Sequence, residues 1–233
     1  MSPPLPTLLL PGLAATARLY VPQIPVLWQY GSVIIADHRR DDSLAAITRR
    51  VLDQAPARFR LVGLSMGGYI AFELLRQAPE RVARLALLDT TARPDTAEQS
   101  ARRRELIGQA RAGRFGEVAD ALYPLLVHPD RLNDQALREL VRTMAAETGA
   151  EAFIRQLTAI IARPDSRPGL AAIGCPTLVL VGEADQLTPP DRAQEIAAGI
   201  RDSRLVVVPA SGHASTLEQP ERVNAALVEW LDA

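Results

Sequence analysis

The sequence contains no lysine, and all 26 of its basic residues are arginines. A Walker-A phosphate loop, a pyridoxal-phosphate enzyme, a Schiff-base aldolase and a protein kinase each depend on a lysine amine, so none of these classes fits. The arginines are balanced by 27 acidic residues, which leaves a formal net charge of −1. We therefore expect no nucleic-acid partner, because proteins that bind polyanions carry a basic surface.

Cysteine and histidine are also scarce. Cys175 is the single cysteine, which excludes an internal disulfide and any zinc or iron–sulfur site built from several thiolates. The histidines are His38, His128 and His213, too few for a histidine-rich metal centre. We therefore expect a protein that binds no metal ion.

Long hydrophobic runs are missing as well. No apolar run approaches the ~18 residues of a membrane span, and prolines interrupt the leucine-rich segment near the N-terminus, which also lacks the basic start of a signal peptide. We expect a cytoplasmic protein without a membrane partner. Hydrophobic residues make up 48% and charged residues 23% of the 233 residues, enough for one globular domain with an inserted subdomain.

Short apolar, β-branched runs alternate with helical patterns along most of the chain. Continuous apolar runs are typical of parallel strands that are covered on both faces. The pattern predicts an α/β fold with a parallel sheet of about six strands and helices on both faces. The predicted strands cover residues 7–10, 32–36, 59–64, 84–88, 177–181 and 204–208, and core helices are predicted near 44–51 and at 66–77, 190–199 and 217–231.

The alternation stops between residues 91 and 168. Four helical patterns follow one another there, at residues 96–112, 115–127, 134–147 and 150–162. Helices inserted at this point would lie over the carboxyl edge of the sheet, where ligands bind in α/β folds. We therefore divide the chain into a core, residues 1–90 and 169–233, and a helical cap, residues 91–168. The alternative is a helical extension that packs on one flank.

The strongest motif is Gly63-Leu64-Ser65-Met66-Gly67, which fits G-x-S-x-G between a predicted strand and a predicted helix. In that context the turn is strained and lifts the serine hydroxyl above the sheet, at the positive end of a helix. The alternative interpretation of the motif is close packing of small residues around a serine without a catalytic role. The context favours Ser65 as a nucleophile.

A serine hydroxyl needs a base, and the base needs an acceptor that fixes its tautomer. His213 follows the sixth strand in a short loop and is the candidate base, whereas His128 fits a surface loop and His38 the edge of the site. Asp185 follows the fifth strand, and Asp89 ends the fourth. Chain order does not separate the two carboxylates, but the turn around Asp185 favours it, with Asp89 as the alternative.

Acyl transfer also needs donors for a developing oxyanion. The backbone N–H of Met66 is one candidate, because it follows the nucleophile directly. The other is the backbone N–H of Leu13 in the Pro11-Gly12-Leu13 turn after the first strand. Taken alone, that turn is an ordinary Pro-Gly signal.

Together, the segments GLSMGG, VGEADQLTP, SGHAST and PGL resemble those of the α/β-hydrolase superfamily, specifically its small capped bacterial esterase and enol-lactonase-like branch. The resemblance covers nearly the whole chain. It implies Ser65 as nucleophile, His213 as base, Asp185 as acid, and no cofactor. It also implies a six-stranded parallel sheet, because the two leading antiparallel strands of the family are not seen. Pro11 replaces the usual histidine of the oxyanion turn, and a charged segment, residues 37–42, replaces a glycine-rich loop.

These features predict a serine hydrolase of the carboxylesterase type that acts on a small carboxylic ester or a lactone through an acyl-enzyme. Thioester, amide or C–C bond cleavage on the same triad stays open. So does a different class, a non-catalytic binding protein of the same fold, because fold alone does not define function. The expected partner is a small-molecule ester, and the sequence does not indicate an oligomeric state.

Overall fold

The structure, a computed structural model, describes residues 4–233, and residues 1–3 of the predicted core lie outside this range. Within it, six strands form one fully parallel sheet in the order β2-β1-β3-β4-β5-β6. The predicted fold class is confirmed. The strands are β1 (Thr7–Leu10), β2 (Val33–Ile35), β3 (Phe59–Leu64), β4 (Val82–Leu88), β5 (Thr177–Gly182) and β6 (Ser203–Val208).

Ten α-helices connect and cover these strands in the described range. They are α1 (Ile24–Trp28), α2 (Leu44–Gln54), α3 (Met66–Gln77), α4 (Ala97–Arg111), α5 (Phe115–Leu126), α6 (Gln135–Thr148), α7 (Ala150–Ile161), α8 (Pro190–Gly199), α9 (Ser215–Glu218) and α10 (Pro220–Asp232). Helices α4–α7 lie between β4 and β5 and are called the inserted helices below.

Successive side chains of the strands point to opposite faces of the sheet, and each face has its own hydrophobic core. Leu8 of β1 and Leu61 of β3 belong to one core, which also contains buried residues of α2, α3, α8, α4 and α7. Leu9 and Val62 belong to the other core, with residues of α1 and α10. This two-sided burial explains why the strands read as continuous apolar runs.

Polar side chains define where several helices begin. The Ser43 hydroxyl accepts a hydrogen bond from the Ala46 N–H at the start of α2, and the Asp134 carboxylate accepts one from the Leu137 N–H at the start of α6. Thr96 and Gln99 form a reciprocal capping box at the start of α4. Each such cap satisfies amide groups that the first helical turn leaves free.

Two parts of the helix prediction need correction. The continuous helix predicted over residues 217–231 is instead α9 and α10, which are separated at Gln219. Pro220 cannot donate a backbone hydrogen bond and therefore starts a new helix. Helix α1 was not predicted, because it spans only five residues and contains Pro25.

A buried ion pair joins the two ends of the inserted segment, because Asp95 precedes α4 and Arg163 follows α7. The Asp95 carboxylate, just before α4, forms salt bridges with Arg103 Nε at 2.7 Å and with a guanidinium nitrogen of Arg163 at 2.6 Å. Asp95 and Arg163 are almost fully buried. Removing one partner of such a pair leaves an uncompensated charge, at a cost of about 3–5 kcal/mol. The segments that flank α4 and α7 are therefore held together.

Across residues 4–233, no helix is both long enough and apolar enough to cross a bilayer.

Candidate active site

All six strands end at one edge of the sheet, because they are parallel, and a residue from the loop after each strand approaches that edge. The sequence-predicted site residues are distributed over these loops. They are Leu13 after β1, His38 after β2, Ser65 and Met66 after β3, Asp89 after β4, Asp185 after β5 and His213 after β6.

Ser65 occupies a strained turn between β3 and α3. Its backbone has φ 56° and ψ −114°, a conformation that costs a residue with a Cβ about 1–3 kcal/mol. The neighbouring glycines permit this geometry. A Cβ on Gly63 would collide with the Gly67 carbonyl oxygen, and a Cβ on Gly67 would collide with the Leu10 carbonyl oxygen. The turn therefore holds Ser65 at the amino end of α3.

His213 and Asp185 are joined by a buried hydrogen bond. His213 Nδ1 lies 2.8 Å from Asp185 Oδ2, and both side chains are nearly inaccessible to solvent. The Thr188 hydroxyl donates to the same carboxylate oxygen at 2.7 Å, while the backbone N–H groups of Leu187 and Thr188 donate to Oδ1 at 2.9 Å. Asp185 is acceptor-only as a carboxylate, so His213 carries its proton on Nδ1 and leaves Nε2 free.

The two partners shift each other's protonation in opposite directions. Burial works against the charged form of each group. The mutual attraction and the hydrogen bond outweigh burial, so the pKa of Asp185 is lowered and the pKa of His213 is raised from 6.5. The pair is thus prepared to stabilise a histidine that has taken up a proton.

Asp89 lies beside this pair without joining it. It is fully buried, its Oδ1 accepts the Gly182 N–H at 2.9 Å, and its Oδ2 accepts the Ser215 hydroxyl at 2.5 Å. Among the hydrogen bonds of residues 4–233, none connects Asp89 to His213. Burial, followed by the negative charge of Asp185, raises the pKa of Asp89. The geometry therefore pairs the histidine with Asp185 rather than with the alternative carboxylate.

A cavity of about 520 Å³ lies above the sheet edge. Ser65, Thr188 and His213 form part of its floor, and most of its wall is apolar. Each of the inserted helices contributes to that wall, through residues that include Leu106, Leu122, Leu125, Val141, Met144 and Ile160. The rim is polar, with Glu98, Gln99, Arg102 and Arg103.

The inserted helices carry four large side chains that differ in their surroundings, namely Phe115, Tyr123, Met144 and Phe153. Met144 lines the cavity. Phe115 and Phe153 pack against each other with ring centroids 4.9 Å apart, and the Tyr123 hydroxyl donates to the Arg131 carbonyl. Size and apolar character therefore do not separate packing positions from cavity positions.

Two backbone amides are placed to receive negative charge near Ser65. A Cβ added to Gly12 would lie 3.5 Å from Ser65 Cβ, so the turn after β1 adjoins the nucleophile candidate. The N–H groups of Leu13 and Met66 donate no hydrogen bond to any other group in the described range. Such free donors are what a developing oxyanion requires.

Glu218 connects the His213 loop to the inserted helices through hydrogen bonds. The buried Glu218 carboxylate accepts the Gly212 N–H at 2.8 Å and the His128 N–H at 2.6 Å. The pKa of Glu218 is raised, chiefly by burial. His128 thus contributes its backbone, just after α5, while its side chain stays partly exposed.

Sequence reasoning missed three polar residues around the site, namely Thr188, Gln156 and Glu218. Thr188 belongs to the turn that identified Asp185, so its role could have been read from that motif. Gln156 is a fully buried amide on the otherwise apolar face of α7, and that break in the pattern is a usable signal. Within residues 4–233, no three His, Cys, Asp or Glu side chains are grouped closely enough to hold a metal ion.

The chain as a whole matches a known protein family. Residues 4–226 match the model of the alpha/beta hydrolase family. The chain therefore belongs to the alpha/beta hydrolase family and is a hydrolase of that fold.

Two solved structures and one curated protein illustrate the similarity. A thermophilic esterase from Thermogutta terrifontis is 32% identical, with 99% of this chain and 90% of that chain covered and a TM-score of 0.89. The enol-lactonase from Burkholderia xenovorans LB400 is 26% identical, with 98% and 92% covered and a TM-score of 0.89. A pimeloyl-[acyl-carrier protein] methyl ester esterase from Edwardsiella ictaluri is 29% identical over 96% of this chain and 86% of its own length.

Proposed function

We propose that the protein is a serine hydrolase that cleaves a small carboxylic ester, lactones included, through an acyl-enzyme. The observation that carries the proposal is the Asp185–His213 hydrogen bond beneath a cavity that His213 shares with Ser65. A buried carboxylate that fixes the histidine tautomer has its main use in proton transfer at the opposite nitrogen. The esterase and the enol-lactonase among the similar proteins agree with ester chemistry.

In the proposed mechanism, His213 Nε2 takes the Ser65 hydroxyl proton as the serine oxygen attacks the ester carbonyl. The N–H groups of Leu13 and Met66 stabilise the oxyanion that forms. His213 then passes its proton to the leaving alcohol, and the acyl group stays on Ser65. A water molecule, activated by His213, hydrolyses this acyl-enzyme and releases the acid.

The proposed substrate carries an uncharged, apolar acyl or aryl group. The wall contributed by the inserted helices is aliphatic, and a cavity of about 520 Å³ matches the size of small-molecule sites. Apolar walls also exclude water from the developing charge, which strengthens electrostatic stabilisation. In this proposal the inserted helices form a cap that provides the substrate wall.

The proposal is tested with p-nitrophenyl esters from acetate to octanoate, assayed with the unmodified protein and Ser65→Ala. The variant should lose roughly 10⁴- to 10⁶-fold in kcat while remaining folded. Thioester, anilide and carbamate analogues with the same acyl group should be cleaved with lower kcat/KM than the ester. EDTA should leave the rate unchanged, because the proposed steps use no metal ion.

A fluorophosphonate probe separates a catalytic protein from a binding protein of the same fold. The probe should add to the protein, and peptide mapping should locate the adduct on Ser65. Ser65→Ala is the matched control and should stay unlabelled. A protein that neither reacts with the probe nor hydrolyses any of the esters would not be a serine hydrolase.

A further inference from the structure

The turn that carries the Leu13 N–H is held by two buried side chains from distant parts of the chain. In this turn, residues 11–15, the Gly12 carbonyl lies 3.0 Å from His38 Nε2. The Ala14 N–H donates to Gln156 Oε1 at 3.0 Å. The Gly12 carbonyl and the Ala14 N–H, on either side of Leu13, are therefore both engaged, whereas the Leu13 N–H donates to no group of residues 4–233.

His38 is an uncharged donor in this arrangement. A carbonyl oxygen only accepts, so the short contact with Gly12 requires a proton on His38 Nε2. His38 is 2% exposed, and burial is the main reason that its pKa is lowered from 6.5. The side chain comes from the loop after β2 and is absent from the cavity wall, so it supports the turn from behind.

Gln156 reaches the same turn from α7, one of the inserted helices. Its side chain is fully buried, and its Nε2 lies 3.4 Å from His38 Nε2, so the two supports are adjacent. A buried amide is costly unless its polar atoms find partners. Its position opposite the Ala14 N–H accounts for a polar residue on the apolar face of α7.

We propose that His38 and Gln156 are positioning residues that jointly hold residues 12–14 so that the Leu13 N–H faces the reacting carbonyl oxygen. The proposal rests on the proposed ester hydrolysis. It also gives one inserted helix a part in the chemical step, through Gln156, in addition to its part in the substrate wall. Neither residue contacts the substrate.

The test removes each hydrogen bond separately. Gln156→Met fills a similar volume but cannot accept the Ala14 N–H, and His38→Phe keeps a ring but cannot donate to Gly12. Each should lower kcat about 10- to 100-fold, because a small misplacement of one oxyanion donor has an effect of that size. The loss should be equal on acetate and octanoate esters, KM should change little, and inhibition by a trifluoromethyl ketone should weaken in parallel.

Two further variants complete the design. His38→Gln retains an N–H donor at a similar distance from the backbone and should restore most of the kcat lost in His38→Phe. Thr148→Val is the matched control, because Thr148 is a buried polar residue of an inserted helix and its hydroxyl, among residues 4–233, bonds only to the Met144 carbonyl. It should leave kcat and inhibitor binding unchanged. Circular dichroism and melting temperatures establish that each variant is folded.

Several outcomes would overturn this assignment. One is an unchanged kcat in folded Gln156→Met and His38→Phe. Another is a loss of kcat confined to one acyl chain length, which would place both residues in substrate selection. An equal loss in His38→Gln and His38→Phe would show that the hydrogen bond is not the active feature. If the unmodified protein hydrolyses neither ester, the proposed function is wrong. If it hydrolyses the esters and the variants do so equally well, only the positioning role of His38 and Gln156 is wrong.

Discussion

Replacing each of the two buried carboxylates by its amide should separate their roles. In Asp185→Asn, the amide oxygen can keep the two backbone donors, Leu187 and Thr188, that now bond to Oδ1 at 2.9 Å. The amide nitrogen then faces His213 Nδ1, 2.8 Å from the present Oδ2. Because that nitrogen can only donate, His213 must accept at Nδ1 and carry its proton on Nε2, the tautomer that cannot take a proton from Ser65.

The same exchange at Asp89 should be mild. An amide oxygen can still accept the Gly182 N–H, and the Ser215 hydroxyl can rotate to accept instead of donate. Burial raises the pKa of Asp89 whereas the pKa of Asp185 is lowered, so an uncharged amide is tolerated better at position 89 than at position 185. We therefore expect Asp185→Asn to lower kcat about 10⁴-fold, equal to about 5 kcal/mol of barrier, and Asp89→Asn to lower it less than about tenfold.

The assay is kcat on p-nitrophenyl acetate, with melting temperatures to show that both variants fold. If Asp89→Asn proved the more damaging substitution, the acid of the triad would be Asp89 and the tautomer argument would be wrong. Equal losses in both variants would show that the carboxylates act as one unit.

Three other predictions concern pH, backbone strain and the cavity wall. The pKa of His213 is raised, and His213 must be neutral to act as a base. We therefore expect kcat/KM to rise with pH through an apparent pKa above 6.5. A pH profile that gives an apparent pKa at or below 6.5 would contradict this. The free energy of unfolding in urea should be about 1 kcal/mol higher for Ser65→Gly than for Ser65→Ala, because glycine relieves the backbone strain at φ 56°. Equal free energies of unfolding would mean that the turn is not strained. Met144→Ala and Leu122→Ala should change the octanoate-to-acetate ratio of kcat/KM by at most about 10- to 200-fold; unchanged ratios in both folded variants would favour the flank-packing alternative.

The fold was predictable from the sequence because its signals are local. The β1 and β3 runs, and the α3 pattern that follows Ser65, were predicted with the bounds that the structure has. In the same way, Ser65, Asp185 and His213 each lie in a short motif after a strand, and parallel strands bring such loops to one edge.

The elements that escaped prediction depend on tertiary context. Helix α1 is too short to show a period, and Pro220 divides a pattern that otherwise reads as continuous. The contact between His38 and Gln156 joins residues 118 positions apart. A buried amide on α7 signals that some partner exists, but no periodicity identifies which loop supplies it.

The contacts between the inserted helices and the loops at the carboxyl edge of the sheet have a consequence for exchanging segments between relatives. The Glu218 carboxylate connects the His213 loop to the chain after α5, and Gln156 connects α7 to the turn after β1. A chimera that receives the segment of a relative that corresponds to residues 91–168 would therefore gain that relative's cavity wall without these two contacts. New substrate preferences should transfer with full turnover only when the donor segment supplies a side chain for the Ala14 N–H and an amide for Glu218.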